Sequence, residues 1–416
     1  ARALIKGGYK PAHTLVFCAM AAEEWGVVDS KYDWSTGAYE QVFTAHPEWQ
    51  GKVIADFNFE LPAHAHGKKD AVRCTYEYAS FMKKATEHIQ PSKEAYPEGL
   101  EVHFPIQTWS DDFSIAIAGI PSSVNEFSDG EFMETHYHSQ FDNEDFYDEP
   151  VYRFHHNLYG KLVLAFDHTA VVPMDFERLF AAVEDSVEKA LCEKTQANET
   201  NLLERLKKAK ELGHQLYDQI QKINETYKNL LEAGKYEEAK AMAAEYAALN
   251  SSLLYIFRKE QDYFVRLNWH DDVLFPQQGV GENLKVIYKA LGCLKEDDPE
   301  GALEAVYEID NNRYAFLFDR EVFRYFTEYV LNQPADRLKW GYGRIIHHEN
   351  LYDLVVSLKE KNKLQKAGER PDLEEEYKIL LQAANAQEQC YRDDIDYMAS
   401  SVEKLLAAME GCVQKQ

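Results

Sequence analysis

The sequence lacks the marks of several common protein classes. Its six cysteines are scattered over 416 residues without a CxxC pair, so neither a disulfide framework nor a cysteine-rich metal site is indicated. No apolar run approaches the length that a bilayer span requires. The GxSxG, GxxxxGK(S/T), HExxH and GxGxxG motifs are absent too, so the enzyme classes that these motifs mark are not indicated.

Basic residues are also few. Lys and Arg total 45 against 71 Asp and Glu, which gives a formal net charge of −26. So acidic a surface argues against nucleic acids and anionic membranes as partners. It is compatible with cations, including metal ions and the protonated amino termini of peptides. These observations do not determine the cellular compartment of the protein, and we favour the cytoplasm slightly over secretion.

Two regions of the chain differ in composition. Residues 1–174 mix short apolar runs with turns and helical patches, which predicts an α/β sandwich with a mixed sheet. From residue 175 onward Ala, Leu, Glu and Lys dominate at helical spacing, so 175–416 is predicted to be an all-α helical domain that serves packing and dimerisation. The predicted strands cover 14–20, 52–59, 71–76, 100–106 and 122–127.

The helical region can be divided further. A long amphipathic helix is predicted over 201–233, with an antiparallel partner over 236–267. A loop rich in Pro and Gly is predicted over 270–282. Later helices are predicted over 284–295, 299–309, 319–331, 351–367 and 372–412, the last of them either continuous or broken.

Two adjacent carboxylates end the first apolar run. Thr14 to Gly26 reads TLVFCAMAAEEWG, with Glu23 and Glu24 directly after the predicted strand. Ligands of open α/β sheets bind beyond the carboxyl ends of the strands, so one carboxylate can bind a metal while the other acts as a base. Two acids at the amino terminus of a helix, where they favour its dipole, are the alternative.

Three further segments supply possible ligands. Glu60 ends the second strand in FNFE, although a solvated acid at a strand end explains it as well. Asp111 begins a helical stretch in SDDFSIAIAGIP and either orients a ligand or caps the helix. His138 follows Tyr137 and suits a metal ligand with Asp142 as the carboxylate behind it. A surface histidine in an acidic loop is the alternative.

The remaining histidine pairs and the glycosylation sequons are not expected to be functional. The pairs neither follow a predicted strand end nor lie in the α/β region's motifs: His64 and His66, His155 and His156, His347 and His348. The sequons fall in the helical region and are interpreted as chance matches: Asn198, Asn224 and Asn250.

Taken in order, these segments resemble those of the di-zinc exopeptidases that include aminopeptidase Y, glutamate carboxypeptidase and the transferrin-receptor ectodomain. AAEEWG at 21–26 is similar to the family's D-A-E-E-x-G, with Ala21 in place of Asp. Residues 58–60 resemble N-x-D, and 137–139 match Y-H-S. Residues 110–121 resemble S-D-H-x-x-F-x-x-x-G-I-P, with Asp112 in place of His. GENLKVIYKAL at 281–291 resembles the helical domain that mediates dimerisation in the carboxypeptidase and receptor branch.

The resemblance implies a role for each of these residues. Glu23 would be the general base and Tyr137 a donor to the oxyanion, while Glu24, Glu60 and His138 would bind zinc. Two zinc ions, a peptide substrate and a homodimer are expected for the complete protein. Water activated by zinc would lose a proton to Glu23 and attack the peptide carbonyl.

Two departures from the family pattern qualify this reading. No His-x-Asp segment, whose Asp bridges the metals in the family, precedes Glu23. The chain starts without Met in a helical pattern, so we expect that an amino-terminal portion is missing and that the fragment alone is inactive.

The second departure concerns specificity. The segment before His138 has no Arg, and Gln277 and Gln278 stand where the branch that cleaves acidic peptides has Lys and Tyr. An aminopeptidase is therefore predicted. A non-catalytic dimerisation or receptor-like module on the same fold is the alternative from another class.

Overall fold

The computed structural model describes residues 1–25, 35–64, 67–127, 130–270, 272–311, 313–329 and 347–413. The strands there are β1 (Asp56–Asn58), β2 (Asp70–Cys74), β3 (Leu100–His103), β4 (Ser122–Asn125), β5 (Arg266–Leu267) and β6 (Val273–Leu274). Four of them form a sheet in the order β1-β4-β2-β3, in which β1 and β4 are parallel, β2 and β3 are parallel, and β2 and β4 are antiparallel. The predicted fold class, a mixed-sheet α/β unit followed by helices, is confirmed.

Helices account for most of the other described residues. In the first region they are α1 (Arg2–Lys6), α2 (Thr36–Glu40), α3 (Ala79–Thr86), α4 (Asp111–Ile117), α5 (Glu131–Thr135) and α6 (Glu149–Asp167). In the second they are α7 (Glu177–Asp185), α8 (Lys189–Thr195), α9 (Glu199–Glu232), α10 (Tyr236–Glu245), α11 (Ala247–Phe264), α12 (Pro276–Lys295), α13 (Pro299–Val306), α14 (Arg320–Arg324), α15 (Tyr352–Lys366) and α16 (Glu374–Val413). None of these helices has the length and hydropathy of a bilayer span.

Residues 14–20 do not form the predicted strand. They pair with none of the described strands, and Val16 and Phe17 are 58% and 66% exposed. An apolar composition favours a strand only where a neighbouring strand takes up the backbone hydrogen bonds. The described sheet gives this run no such neighbour, so the prediction is wrong, although the acid pair still follows the run.

The loop predicted over 270–282 is also wrong, because α12 begins at Pro276. Proline suits the first turn of a helix, where its missing N–H is not needed. The Gln278 side chain accepts the backbone N–H of Phe275 at 2.7 Å. Gly281 lies inside the helix where a Cβ would come within 3.2 Å of Leu191. Pro276 therefore begins a helix and Gly281 allows close packing, and neither marks a loop.

The other helices follow the predictions with small changes. The predicted partner of α9 is broken at Tyr246 into α10 and α11, and its last residues join β5. The final helix is continuous over 40 residues. The helix predicted over 319–331 runs as α14 and the π-helical turn Tyr325–Tyr329. Its last two residues lie outside the described residues, as do Gly26 and His66.

One hydrophobic core connects the sheet to the helical region. It contains Val72 of β2, Phe166 of α6, Phe257 of α11 and Val402 of α16, all of them buried. A second cluster around Ile287 joins α12, α13, α15 and the start of α16. The domain boundary between 174 and 175 stays a prediction, and the first core draws residues from both sides of it.

Two asparagines of the helical region hold residues 170–172. The Asn224 side chain in α9 accepts the N–H groups of Ala170 and Val171 at 3.0 and 2.9 Å, and donates to the Val171 carbonyl at 2.8 Å. Asn250 in α11 accepts the Val172 N–H and donates to the Ala170 carbonyl, both at 2.8 Å. This asparagine clamp satisfies backbone groups of a buried, irregular segment, which would otherwise destabilise the fold.

Candidate active site

The turn that carries the acid pair is held by the start of α2. The backbone N–H of Ser35 donates to the Glu23 carbonyl, and that of Gly37 donates to the Ala22 carbonyl at 3.2 Å. A Cβ at Gly37 would lie 1.8 Å from the Ala21 carbonyl oxygen, so only glycine allows this approach. Glu23 and its neighbour therefore lie in a turn, and α2, which follows, has no acid in its first turn.

Glu24 and His138 lie in direct contact, although 113 other residues separate them in the chain. The Nε2 atom of His138 is 2.6 Å from Oε1 of Glu24. The His138 ring stacks on that of Tyr137, with centroids 3.7 Å apart. His138 has a φ of 56°, and Ala22 beside the acid pair has 63°. Positive φ values at residues other than glycine are concentrated at functional sites. Here one occurs at His138 itself and the other at Ala22, two residues before Glu24.

Glu60 is fixed at the carboxyl end of β1 by the neighbouring parallel strand. Its backbone N–H donates to Asn125 Oδ1 at 2.8 Å, and Asn125 Nδ2 donates to its carbonyl at 2.5 Å. The Ser110 hydroxyl donates to the carboxylate itself, and Asn58 Nδ2 donates to Ser110 Oγ at 2.7 Å. The ends of two parallel strands thus position one acid, as expected for such a sheet edge.

Asp111 and Asp112 open α4 with both side chains buried. The Oδ1 atom of Asp111 accepts the Ser35 hydroxyl at 2.9 Å, and the N-cap residue of α4, Ser110, makes no capping hydrogen bond with its side chain. Neither carboxyl oxygen of Asp112 has a hydrogen-bond partner among the described residues. Burial, and then the acids around it, hold the pKa of Asp112 well above its usual range.

The acids at this edge raise one another's pKa values. Burial, and then Glu24, Asp111 and Glu60, raises the pKa of Glu23 to about 8. Burial also raises the pKa of Glu60 despite the hydrogen bond from the serine. Tyr137 has its pKa raised to about 12 by burial and then by the same carboxylates. Like charges in a desolvated site oppose ionisation, so this edge would be stabilised by a cation.

Asp142 lies apart from this group. It occupies an exposed turn in which its backbone N–H donates to the Ser139 carbonyl at 3.2 Å. Among the described residues, no hydrogen bond joins its carboxylate to His138. Its role as the carboxylate behind that histidine stays a prediction.

The histidines that were not expected to bind metal have structural partners. His155 is buried, with Nδ1 2.8 Å from the Pro62 carbonyl and Nε2 3.2 Å from Asp70. His64 stacks on Phe132 with ring centroids 4.2 Å apart. His347 and His348 each contact a buried carboxylate, on Asp394 and Asp310 respectively.

The donors at this edge suit zinc in kind but not in number. Zinc prefers imidazole nitrogen and carboxylate oxygen, which His138, Glu24 and Glu60 offer. Structural and catalytic zinc sites need at least three protein ligands, and the described residues hold no group of three His, Cys, Asp or Glu that could bind a metal ion. The described chain therefore presents a ligand pair with an acid nearby, not a finished two-zinc site.

Sequence reasoning missed the polar residues that hold these acids. Ser35 and Asn125 bond Asp111 and Glu60 directly. The predicted strand over 122–127 contains Asn125, but the sequence does not show that β4 ends at this residue beside β1. Ser35 carries no comparable signal, since it lies in a connecting segment.

Comparison with known proteins gives one match. Residues 1–163 match the family model of Peptidase family M28, whose members are in general zinc-dependent metallopeptidases. No curated protein matches the chain. The matched region ends within α6 and contains the acid pair, Glu60 and His138.

Proposed function

Because residues 1–163 match the family model of Peptidase family M28, we propose that they carry part of the active site of a zinc-dependent exopeptidase, of the aminopeptidase type. The contact between Glu24 and His138 carries this proposal, because it joins an acid and an imidazole from distant segments. Glu23 lies next to that contact in sequence and shares its electrostatic field. A homodimer formed through the helical region is part of the proposal.

Each residue can be given a task. Glu24 and His138, with Glu60 nearby, would hold the metal, which in such peptidases supplies Lewis-acid chemistry and makes water nucleophilic at neutral pH. Glu23 would take a proton from water and pass it to the leaving amine. A carboxylate placed beside the metal ligands can act as base and then as acid in this way.

Tyr137 and the surrounding acids would orient the substrate. With its pKa raised to about 12, the Tyr137 phenol keeps its proton and can donate a hydrogen bond to the oxygen of the peptide carbonyl. The carboxyls of Glu60, Asp111 and Asp112 would attract the ammonium group of a free amino terminus and repel an acidic side chain. This charge pattern supports an aminopeptidase over an enzyme for acidic residues.

Zinc content and turnover test the proposal together. We expect bound zinc, measured by elemental analysis after dialysis, to fall in Glu24→Gln and His138→Gln variants. The Glu23→Gln variant should keep its zinc and lose a factor of roughly a hundred to ten thousand in hydrolysis of a leucyl anilide by the active protein. Full turnover by Glu23→Gln would refute the assignment of the base. The exposed Glu410→Gln variant is the control.

The second candidate is a non-catalytic dimerisation or receptor-like module. It is favoured by one observation, namely that the described residues hold no group of three metal ligands. Light scattering of the purified chain separates the candidates when combined with the zinc measurement. A dimer without zinc or hydrolysis supports the module, and two zinc ions per chain support the enzyme.

A further inference from the structure

A cavity of about 490 Å³ lies between the sheet and the helical region. Its wall includes Thr75, Tyr76 and Glu77 after β2, residues 104–107 after β3, parts of α7 and α11, and the β6–α12 junction. Its volume falls within the range of small-molecule sites, which are mostly apolar with a few placed polar groups. It is separate in sequence from Glu24, Glu60 and His138.

Aromatic rings form much of this interface cavity. Tyr76 lies edge-on to Phe104 and stacks against Phe275, with ring centroids 5.9 and 6.1 Å apart. Phe264 meets Phe275 edge-on at 6.5 Å. The Nζ atom of Lys83 lies 4.8 Å from the centre of the Phe104 ring, so this wall already attracts one ammonium group by a cation–π interaction.

Two buried acids face each other in the wall of the same cavity. Glu77 and Glu260 are each 1% exposed. None of their four carboxyl oxygens accepts a hydrogen bond of normal geometry among the described residues, but the two carboxyls interact with each other, and Glu77 interacts also with Thr75. No described lysine, arginine or histidine forms a salt bridge with either. A buried carboxyl in this position destabilises the empty protein unless a donor reaches it.

We propose that the interface cavity binds a small primary amine, with its ammonium group between Glu77 and Glu260 and its apolar body against the aromatic wall. The ammonium group supplies the three donors and the positive charge that the two carboxyls lack. The aromatic rings accommodate an aliphatic or aromatic body and favour a nearby cation. A metal ion suits the site less well, because the described residues offer no third ligand beside the two acids.

Calorimetric titration of the whole chain with hexylamine at pH 8 tests this proposal. At that pH Glu77, whose pKa burial raises to about 7, is ionised. Hexanol and hexanoate are the matched ligands, with the same apolar body and without the positive charge. We expect hexylamine to bind one per chain and about tenfold to a hundredfold more tightly than hexanol, since a charge-assisted hydrogen bond contributes that much. Equal binding of the two, or no binding of the amine, overturns the proposal.

Three variants locate the site. Glu77→Gln keeps the size of the side chain and removes the negative charge, so it should lose the preference for the amine, whereas the exposed Glu410→Gln should keep it. Ala182 of α7 also lines the cavity, so Ala182→Trp should fill it while leaving both acids in place, and should abolish binding. If hexylamine binds to Glu77→Gln and Ala182→Trp as tightly as to the wild type, the cavity is not its site and the inference fails. None of these outcomes depends on zinc or peptide hydrolysis.

Discussion

The acids of the interface cavity should make the stability of the protein depend on pH. Burial raises the pKa of Glu77 from 4.5 to about 7, with the nearby Asp175 adding to the rise. Burial, and then Glu77, holds the pKa of Glu260 well above its usual range. In the folded chain Glu77 therefore keeps a proton that the unfolded chain releases, which favours folding at low pH.

The size of the effect follows from the difference between the two pKa values of Glu77. The contribution is fully present below 4.5, and it is lost as the pH rises through about 7. A pKa difference of this size corresponds to about 3 kcal/mol above pH 7. Most of it, about 2–3 kcal/mol, is lost between pH 5 and pH 8.

The Glu77→Gln variant removes this titration while keeping the shape of the side chain. We expect its free energy of unfolding, measured in urea from pH 5 to pH 8, to rise relative to the wild type by about 2–3 kcal/mol over that interval. The exposed Glu410→Gln variant should follow the wild-type curve. Parallel curves for Glu77→Gln and the wild type would refute the reasoning.

Three further predictions concern packing and the two polar clusters. Gly213→Ala in α9 should lower the free energy of unfolding by about 1–3 kcal/mol, because its Cβ would lie 2.8 Å from a backbone nitrogen of α7. A Cβ at Gly292 in α12 would meet no atom within 4 Å, so Gly292→Ala should raise the free energy of unfolding by about 1 kcal/mol. Changes of the same sign for the two glycine variants would contradict the packing around Gly213. Asn224→Ala should lower it by about 2–4 kcal/mol by opening the asparagine clamp, whereas the exposed Asn229→Ala on the same helix should change it little, both measured by urea unfolding. Gly37→Ala should displace the turn of the acid pair and reduce zinc uptake without changing the circular dichroism spectrum, and unchanged uptake would contradict the role of that glycine.

The sequence predicted the convergence of the candidate ligands better than the elements that carry them. Glu24 and His138 were expected to meet, and the structure brings them within 2.6 Å. The strand expected before Glu24 is absent from the described sheet, since composition shows strand propensity but not the identity of a partner strand. The four motifs were informative because metal binding and proton transfer constrain their order and residue types. These constraints do not depend on which strands pair with one another.

Other features left no signal that can be read from local patterns. Glu77 and Glu260 lie 183 positions apart, and each lies in an ordinary amphipathic context, so their shared cavity depends entirely on tertiary packing. Pro276 and Gly281 predicted a loop because both residues disfavour helix interiors. A proline in the first turn and a glycine at a contact between helices are instead compatible with a helix. Only the packing of α12 shows that Pro276 and Gly281 are of this kind.

The asparagine clamp also bears on covalent modification. Asn224 and Asn250 are both acceptor residues of N-x-S/T sequons, and in the folded protein the oxygen and the nitrogen of each side-chain amide bond backbone groups of residues 170–172. A glycan on either nitrogen would replace a donor of the clamp by a bulky group in a buried position. We therefore expect a glycan at either site to oppose formation of the clamp. If an oligosaccharyltransferase modified either asparagine before α9 and α11 packed against residues 170–172, the glycan would oppose that packing afterwards.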